Sequence, residues 1–304
     1  MTRPSTMQRR SVPPRTGGIP LRILILTAAA MLCFAANSLL CRLSLAPRLV
    51  DAATFTTVRV ASGAAMLCLV VWLRRNSLPK LNRANSLSVA SLFAYFVFFS
   101  FAYGRLEAGS GALILIGAVQ LTMFSVAFRE GERFSAWQWC GLAIALLGFV
   151  YLVLPGASAP DPLGAALMAI SGIAWGCFSL LARGADDPVE ANASNLIGCL
   201  LPAAVVSLLS AHDFMATTAG VFLAIVSGAI ATGLGYIVWY LALQGLNATH
   251  AATVQLSMPA LVALGGVGLL SEPLTMRVLV ASAMMLGGVG LVLHRVQGSP
   301  QRPP

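Results

Sequence analysis

Charge is what this chain of 304 residues has least of: Asp, Glu, Lys and Arg together make up 10% of it, against about 25% in an average soluble protein. Its 19 basic and 10 acidic residues cannot clothe a soluble body of this length in polar surface, so an ordinary water-soluble enzyme is excluded. The acids are also missing from where a proton pump needs them. Asp51, Glu107, Glu130, Glu132, Asp161, Asp186, Asp187, Glu190, Asp213 and Glu272 all fall in or beside the connections between apolar runs. No mid-membrane carboxylate relay is left, and facilitated exchange or weakly coupled export is expected in its place. Histidine is scarce too. His212, His250 and His294 stand far apart, and Cys33, Cys41, Cys68, Cys140, Cys177 and Cys199 form no CxxC and have no histidine at ligand spacing. These cysteines read as small apolar packing residues, and no catalytic group, metal or cofactor is expected.

What the chain does have is hydrocarbon: 58% of its residues are apolar and the mean hydropathy is +0.84. After a polar, Pro- and Arg-rich stretch over 1–20, expected to be a disordered tail, apolar runs recur at about 23–44, 52–73, 86–104, 108–128, 135–154, 162–182, 189–210, 217–243, 249–270 and 276–294. A bilayer core takes about 20 residues of helix, and a backbone in lipid must satisfy its own hydrogen bonds. The fold expected is therefore all-α integral membrane, with ten transmembrane helices and no sizeable aqueous domain. The first run also resembles a cleavable signal sequence, but its removal would spoil the internal repeat described below.

Placing the amino terminus in the cytoplasm puts 14 Lys or Arg residues on the cytoplasmic side and only Arg42, Arg48, Arg105 and Arg277 on the other; Arg59 lies inside a span. The positive-inside bias thus sets both termini in the cytoplasm. It also explains the net charge of +9 without nucleic acid, because the basic residues are scattered between spans and gathered on no single face.

Sliding the sequence against itself by 140 residues aligns Leu106 with Leu246, Ala108 with Ala248, Ala112 with Ala252, Leu121 with Leu261, Glu132 with Glu272 and Gly148 with Gly288. At an offset of 141, Ser38-Leu39-Leu40 and Arg42 match Ser179-Leu180-Leu181 and Arg183. The chain divides into a first repeat at 21–154 and a second at 161–294, with a short tail at 295–304. Five helices per repeat is an odd number, so the second repeat is expected to run through the membrane upside down. Two inverted five-helix repeats are a transporter signature, because similar halves of opposite orientation can exchange conformations around a midplane site.

The strings Phe128-Arg129-Glu130-Gly131-Glu132-Arg133-Phe134, Trp137-Gln138-Trp139-Cys140-Gly141 and Leu146-Leu147-Gly148, with their partners Leu270-Ser271-Glu272-Pro273-Leu274 and Leu286-Gly287-Gly288, resemble the duplicated unit of the EamA family of the drug/metabolite transporter superfamily. Arg59, the Ala102–Gly109 stretch and Pro259 add to the resemblance; Val119, where the first repeat commonly has proline, departs from it. The resemblance implies a ten-helix exporter or exchanger of small metabolites in the bacterial inner membrane. Its cavity would be lined by helices one, three, four, six, eight and nine, with five and ten as supports.

Candidate substrate-binding groups are the amides Asn37, Gln120 and Gln255, which are costly in a span unless bonded, and the aromatics Tyr95, Phe99, Trp175, Tyr236 and Tyr240, the usual walls of a small-molecule site. A fourth amide, Asn195, reads as a packing residue. Arg59 reads either as a counter-charge for a substrate carboxylate or as a guanidinium held by helix-end carbonyls or snorkelling outward. Glu132, Glu272 and Pro259 read as structural or gating residues; each glutamate follows one apolar run and precedes another, where a carboxylate can accept from the free N–H groups of the next helix start. His250, at the entrance of the ninth run, reads as an interfacial histidine. The partners expected are a small neutral, zwitterionic or amphiphilic substrate and membrane lipid, with no nucleic acid; no motif specifies an oligomeric state. The competing readings, a membrane enzyme acting on lipid and a non-transporting sensor or assembly protein, lack respectively a cluster of reactive groups and an aqueous domain.

Overall fold

A computed structural model describes residues 20–80, 85–129, 131, 135–156, 159–182, 187–246 and 254–294, the last three by backbone alone. Both tails, Glu132 and His250 lie outside these residues. Eight helices are long and apolar enough to cross a membrane: α1 (Leu21–Leu45), α2 (Ala52–Arg75), α3 (Ser86–Tyr103), α4 (Ala108–Arg129), α5 (Ala136–Val153), α6 (Pro162–Leu181), α7 (Pro188–Leu209) and α8 (Thr218–Leu243). Two more follow, α9 (Ser257–Leu270) and α10 (Met276–His294). The first eight begin and end within two residues of the apolar runs, because the run length is itself the length of helix that hydrocarbon requires. Among the described residues the only extended pairing is the single bridge between Val50 and Ala216.

The acids at the ends of the runs are helix caps. Asp51 accepts from the Thr54 N–H at 2.8 Å, Asp161 from Gly164 at 2.7 Å and Asp187 from Val189 at 3.0 Å, each satisfying a donor that the first turn leaves free. Pro162 and Pro188 follow two of these caps, at positions where no N–H is needed. Ser135 and Gln138 form a reciprocal capping box at the start of α5.

Among its described residues the ninth apolar run is interrupted at Leu256, and Pro259 explains the break. Proline has no N–H to bond the carbonyl four residues earlier, which here belongs to Gln255. The chain turns at Leu256, the helix starts again at Ser257, and Pro259 stands in its first turn.

The largest helix–helix contacts are preserved when each helix is exchanged for the one five places on. α3 packs on α6 as α1 does on α8, and α4 on α6 as α1 does on α9, while α2 meets α7, α4 meets α9 and α5 meets α10. The close approaches use glycine. A Cβ on Gly228 of α8 would overlap the Arg59 carbonyl oxygen and the Ser62 hydroxyl of α2, and one on Gly172 of α6 would lie 2.6 Å from the Leu115 carbonyl oxygen of α4. The outward faces carry large apolar side chains, among them Leu201, Leu208, Leu209, Leu264 and Leu269, each at least 65% exposed. That surface suits lipid and not water.

Candidate functional site

Seven of the eight proposed binding residues surround one cavity of about 330 Å³ in the middle of the bundle: Asn37, Tyr95, Phe99, Trp175, Tyr236, Tyr240 and Gln255. The eighth, Gln120, faces elsewhere, into a narrow apolar crevice with Phe149 of α5 and Met285 of α10. The same polar signal in the sequence therefore marks two different faces of α4. The cavity wall comes from α1, α3, α4, α6, α8, α9 and Gln255 just before α9, with Asn192 adding α7; α2, α5 and α10 contribute no lining residue.

The wall is mostly aromatic. Tyr95 and Trp175 have ring centroids 4.8 Å apart, Trp175 stacks on Tyr236 at 5.7 Å, and Phe34 meets Tyr236 and Trp239 edge-on at 6.3 and 5.9 Å. Rings locked against one another in this way give a wide, rigid apolar surface. Trp239, which the repeat aligns with Phe99, belongs to it. Phe34 and Met258 also join the wall, and in a chain this apolar nothing in the sequence sets them apart.

Polar groups interrupt the wall in two places. Near the ends of α6 and α8 and the start of α7, Asn192 donates to the Tyr240 hydroxyl at 2.6 Å and to the Pro188 carbonyl at 2.9 Å. At the centre, Asn37 donates to the Tyr95 hydroxyl at 3.3 Å and accepts from Ser227 at 2.9 Å. Arg59 stands behind this group, 1% exposed. It donates to the Tyr95 hydroxyl at 3.3 Å and to the Thr232 hydroxyl at 3.4 Å, and its guanidinium carbon lies 4.6 and 4.9 Å from the ring centres of Phe96 and Phe99. Its Nη1 has no acceptor among the described residues. Neither helix-end carbonyls nor a carboxylate hold the charge; hydroxyls and ring faces do.

Thr232 and Ser227 both reach this centre because α8 widens into a π-helical segment over Ser227–Leu234. Bonds from i to i+5 place residues five apart on one face; an α-helix, with 3.6 residues per turn, would set them about 140° apart. A serine or threonine in an apolar run gives no warning of this, since it can bond its own helix.

One end of the bundle is sealed. Glu272, between α9 and α10, accepts from Arg42 of α1 at 2.7 Å and from the Ala108 N–H at the start of α4 at 2.7 Å. Arg42 also donates to the Tyr103 carbonyl at 3.0 Å. Glu272 thus caps a helix as expected of a carboxylate in that position, but the helix is α4 of the other repeat and not α10, the next in sequence. Beside it, Asp51 and Met215 bond through their backbones at 2.9 Å, and the Thr217 N–H donates to Leu49 at 2.9 Å. The cavity runs away from this end toward Ala182, Asn192, Leu243 and Gln255.

Glu107 shares the sealed end. Burial, together with the neighbouring Glu272, pushes its carboxyl above the usual carboxylate range, with Arg42 opposing. Ionised Glu107 is therefore unfavourable in the folded protein, and stability falls as pH rises through its raised value. Glu107→Gln is expected to raise the melting temperature slightly at pH 7 and not at a pH below the ordinary carboxylate range, as thermal unfolding in detergent at the two pH values will read.

The comparisons with known proteins agree with this architecture. The model of the EamA-like transporter family matches twice, at residues 21–154 and 162–294. An uncharacterized protein of Pseudomonas aeruginosa is 47% identical over 272 residues, covering 90% of this chain and 94% of its own. An uncharacterized transporter of Archaeoglobus fulgidus is 26% identical over 259 residues, covering 82% and 91%. A crystal structure of a protein 17% identical in sequence superposes with a TM-score of 0.63 over 91% of this chain and 99% of that one, which shows a common fold. With two copies of the family's unit side by side, the chain belongs to the EamA-like transporter family of the drug/metabolite transporter superfamily and is a multi-pass membrane transporter.

Proposed function

We propose that the protein is a secondary transporter that exports or exchanges small organic metabolites, amino acids or amphiphilic compounds, across the bacterial inner membrane by alternating access. It crosses the membrane ten times as two inverted five-helix repeats, 21–154 and 161–294, with the tails 1–20 and 295–304 in the cytoplasm. The observation that carries the reading is the aromatic cavity, built from both repeats and sealed at one end by Glu272, Arg42 and Ala108. An exchange symmetry between helices five apart supports two interconvertible states of comparable energy.

With the positive-inside orientation, Arg42 and Arg48 at the end of α1 lie outside, so the sealed end is the outer one and the cavity faces the cytoplasm. Asn37, Tyr95, Phe99, Trp175, Tyr236, Tyr240 and Gln255 bind substrate; Gln120 acts in packing and Pro259 in shaping the start of α9. Glu132 is the counterpart of Glu272 in the first repeat. No described acid lines the cavity, which supports exchange without proton coupling.

Counterflow in proteoliposomes, using the best hit from a metabolite panel, tests this. Trp175→Ala is expected to lower exchange about tenfold, as loss of a stacked aromatic wall removes about 1.4 kcal/mol of contact, whereas Gln120→Ala should leave it near that of the parent. Equal loss in both variants, or uphill flux driven by an imposed pH gradient, would contradict the scheme.

A further inference from the structure

Behind the central wall of the cavity lies a positive charge with no negative partner among the described residues. Arg59 cannot lose its proton, it is 1% exposed, and among the described residues no carboxylate bonds it and its Nη1 has no acceptor. Cation–π contact with Phe96, Phe99 and Tyr95 offsets only part of the cost of burying such a charge.

Tyr95 and Thr232, whose hydroxyls receive its hydrogen bonds, both line the cavity. The Tyr95 oxygen accepts twice, from Arg59 and from Asn37, so both of its lone pairs are used and its own proton is uncommitted. Thr232 likewise accepts from Arg59 and donates to no group among the described residues. Accepting from a cation makes each O–H a stronger donor. The opposite charge is missing: no Asp or Glu stands among the lining residues, so an ammonium would find ring faces and amide oxygens but no counter-ion.

Resting on the transporter reading above, we infer that this centre is a carboxylate site and that the substrate class is a small amphiphilic monocarboxylate. The anion accepts from the Tyr95 and Thr232 hydroxyls in the field of Arg59, while the apolar body lies between Phe34, Trp175, Tyr236 and Trp239. One bound anion neutralises the centre. A cation meets repulsion from Arg59, and a zwitterion gains at one end what it loses in desolvating the other. Two negative charges would exceed the single positive one.

Trp175 and Trp239 in the wall make binding readable by intrinsic fluorescence in detergent or nanodiscs. The probes are 3-phenylpropanoate, its amide, 3-phenylpropylamine and phenylalanine, alike in body and different in charge. The carboxylate is expected to bind at least tenfold tighter than each of the others. Tyr95→Phe and Thr232→Val, which keep shape and remove one donor, should each weaken it about five- to tenfold and leave the amine unchanged. Arg59→Gln should bring the carboxylate down to the level of the amide, with Arg59→Lys recovering part of the difference in protein of the same melting temperature. Tightest binding of the amine or of phenylalanine, no binding of any probe, or an unchanged carboxylate affinity in Tyr95→Phe overturns the inference. Counterflow of the amine or of phenylalanine with unchanged rates in Arg59→Lys would leave the transporter reading standing while this one falls.

Discussion

Gly228→Ala is expected to remove most of the folded protein. A Cβ at this position meets the backbone carbonyl of Arg59 and the hydroxyl of Ser62 at distances no real contact shows. The serine can rotate but the carbonyl cannot, so α8 must move off α2. Overpacking of this kind costs about 1–3 kcal/mol, and here the displacement has a second consequence. Gly228 lies in the π-helical segment that carries Ser227 to Asn37 and Thr232 to Arg59. Each buried polar group that loses its partner adds about 1–3 kcal/mol, and together these reach the order of the 5–15 kcal/mol that holds an ordinary domain. Gly268→Ala is the control, because a Cβ there has nothing within 4 Å. Fluorescence-detected size exclusion and thermal melting should show Gly228→Ala aggregated or melting far below the parent, with Gly268→Ala unchanged. Equal melting of Gly228→Ala and the parent would mean that the two helices are not in this close contact.

Glu272→Ala is expected to unseal the end of the bundle proposed above to face outward. The carboxylate joins three segments, pairing with Arg42 of α1 and capping α4 at Ala108 from the loop before α10. Loss of a cap costs about 1 kcal/mol. Loss of one partner of a fully buried ion pair costs about 3–5 kcal/mol, and the Arg42 and Glu272 side chains, 17% and 12% exposed, fall short of full burial. A total of about 2–3 kcal/mol corresponds to roughly 30- to 150-fold in the balance between sealed and unsealed states. Cys41, beside Arg42 and 0% exposed, reports on it. In a chain whose other five cysteines are replaced by serine, a membrane-impermeant maleimide added outside should label Cys41 slowly in the parent and at least tenfold faster in Glu272→Ala. Reversal of both charges, Arg42→Glu with Glu272→Arg, should restore slow labelling only in part, since arginine cannot accept from Ala108. Unchanged labelling in Glu272→Ala would show that the ion pair does not hold this end shut.

The helices and the repeat were legible because each depends on a property carried by composition and length. Apolar runs of about bilayer thickness specify spans; the acids Asp51, Asp161 and Asp187 were legible only as lying between runs, and the structure shows that they cap the helices that follow. Asn37, Tyr95, Trp175 and Tyr236 stood out as polar or aromatic groups where lipid tolerates few. Gln120 carried the same signal and lies in another crevice. A helix that is apolar almost all round has no periodicity to say which face is turned inward, so the rotation of α4 is set by what packs against it.

Composition, run length and the 140-residue repeat thus determined by themselves that this is a duplicated helical membrane protein, and roughly where its helices start and stop, since hydrocarbon acts on every residue of a span alike. Tertiary structure alone decided which charges meet. It set Glu272 on Arg42 and Ala108 in the other repeat and, through a π-helical segment in α8, turned Thr232 toward Arg59. Such contacts depend on helix rotation and helical pitch, for which nearly uniform apolar stretches leave no pattern in the sequence.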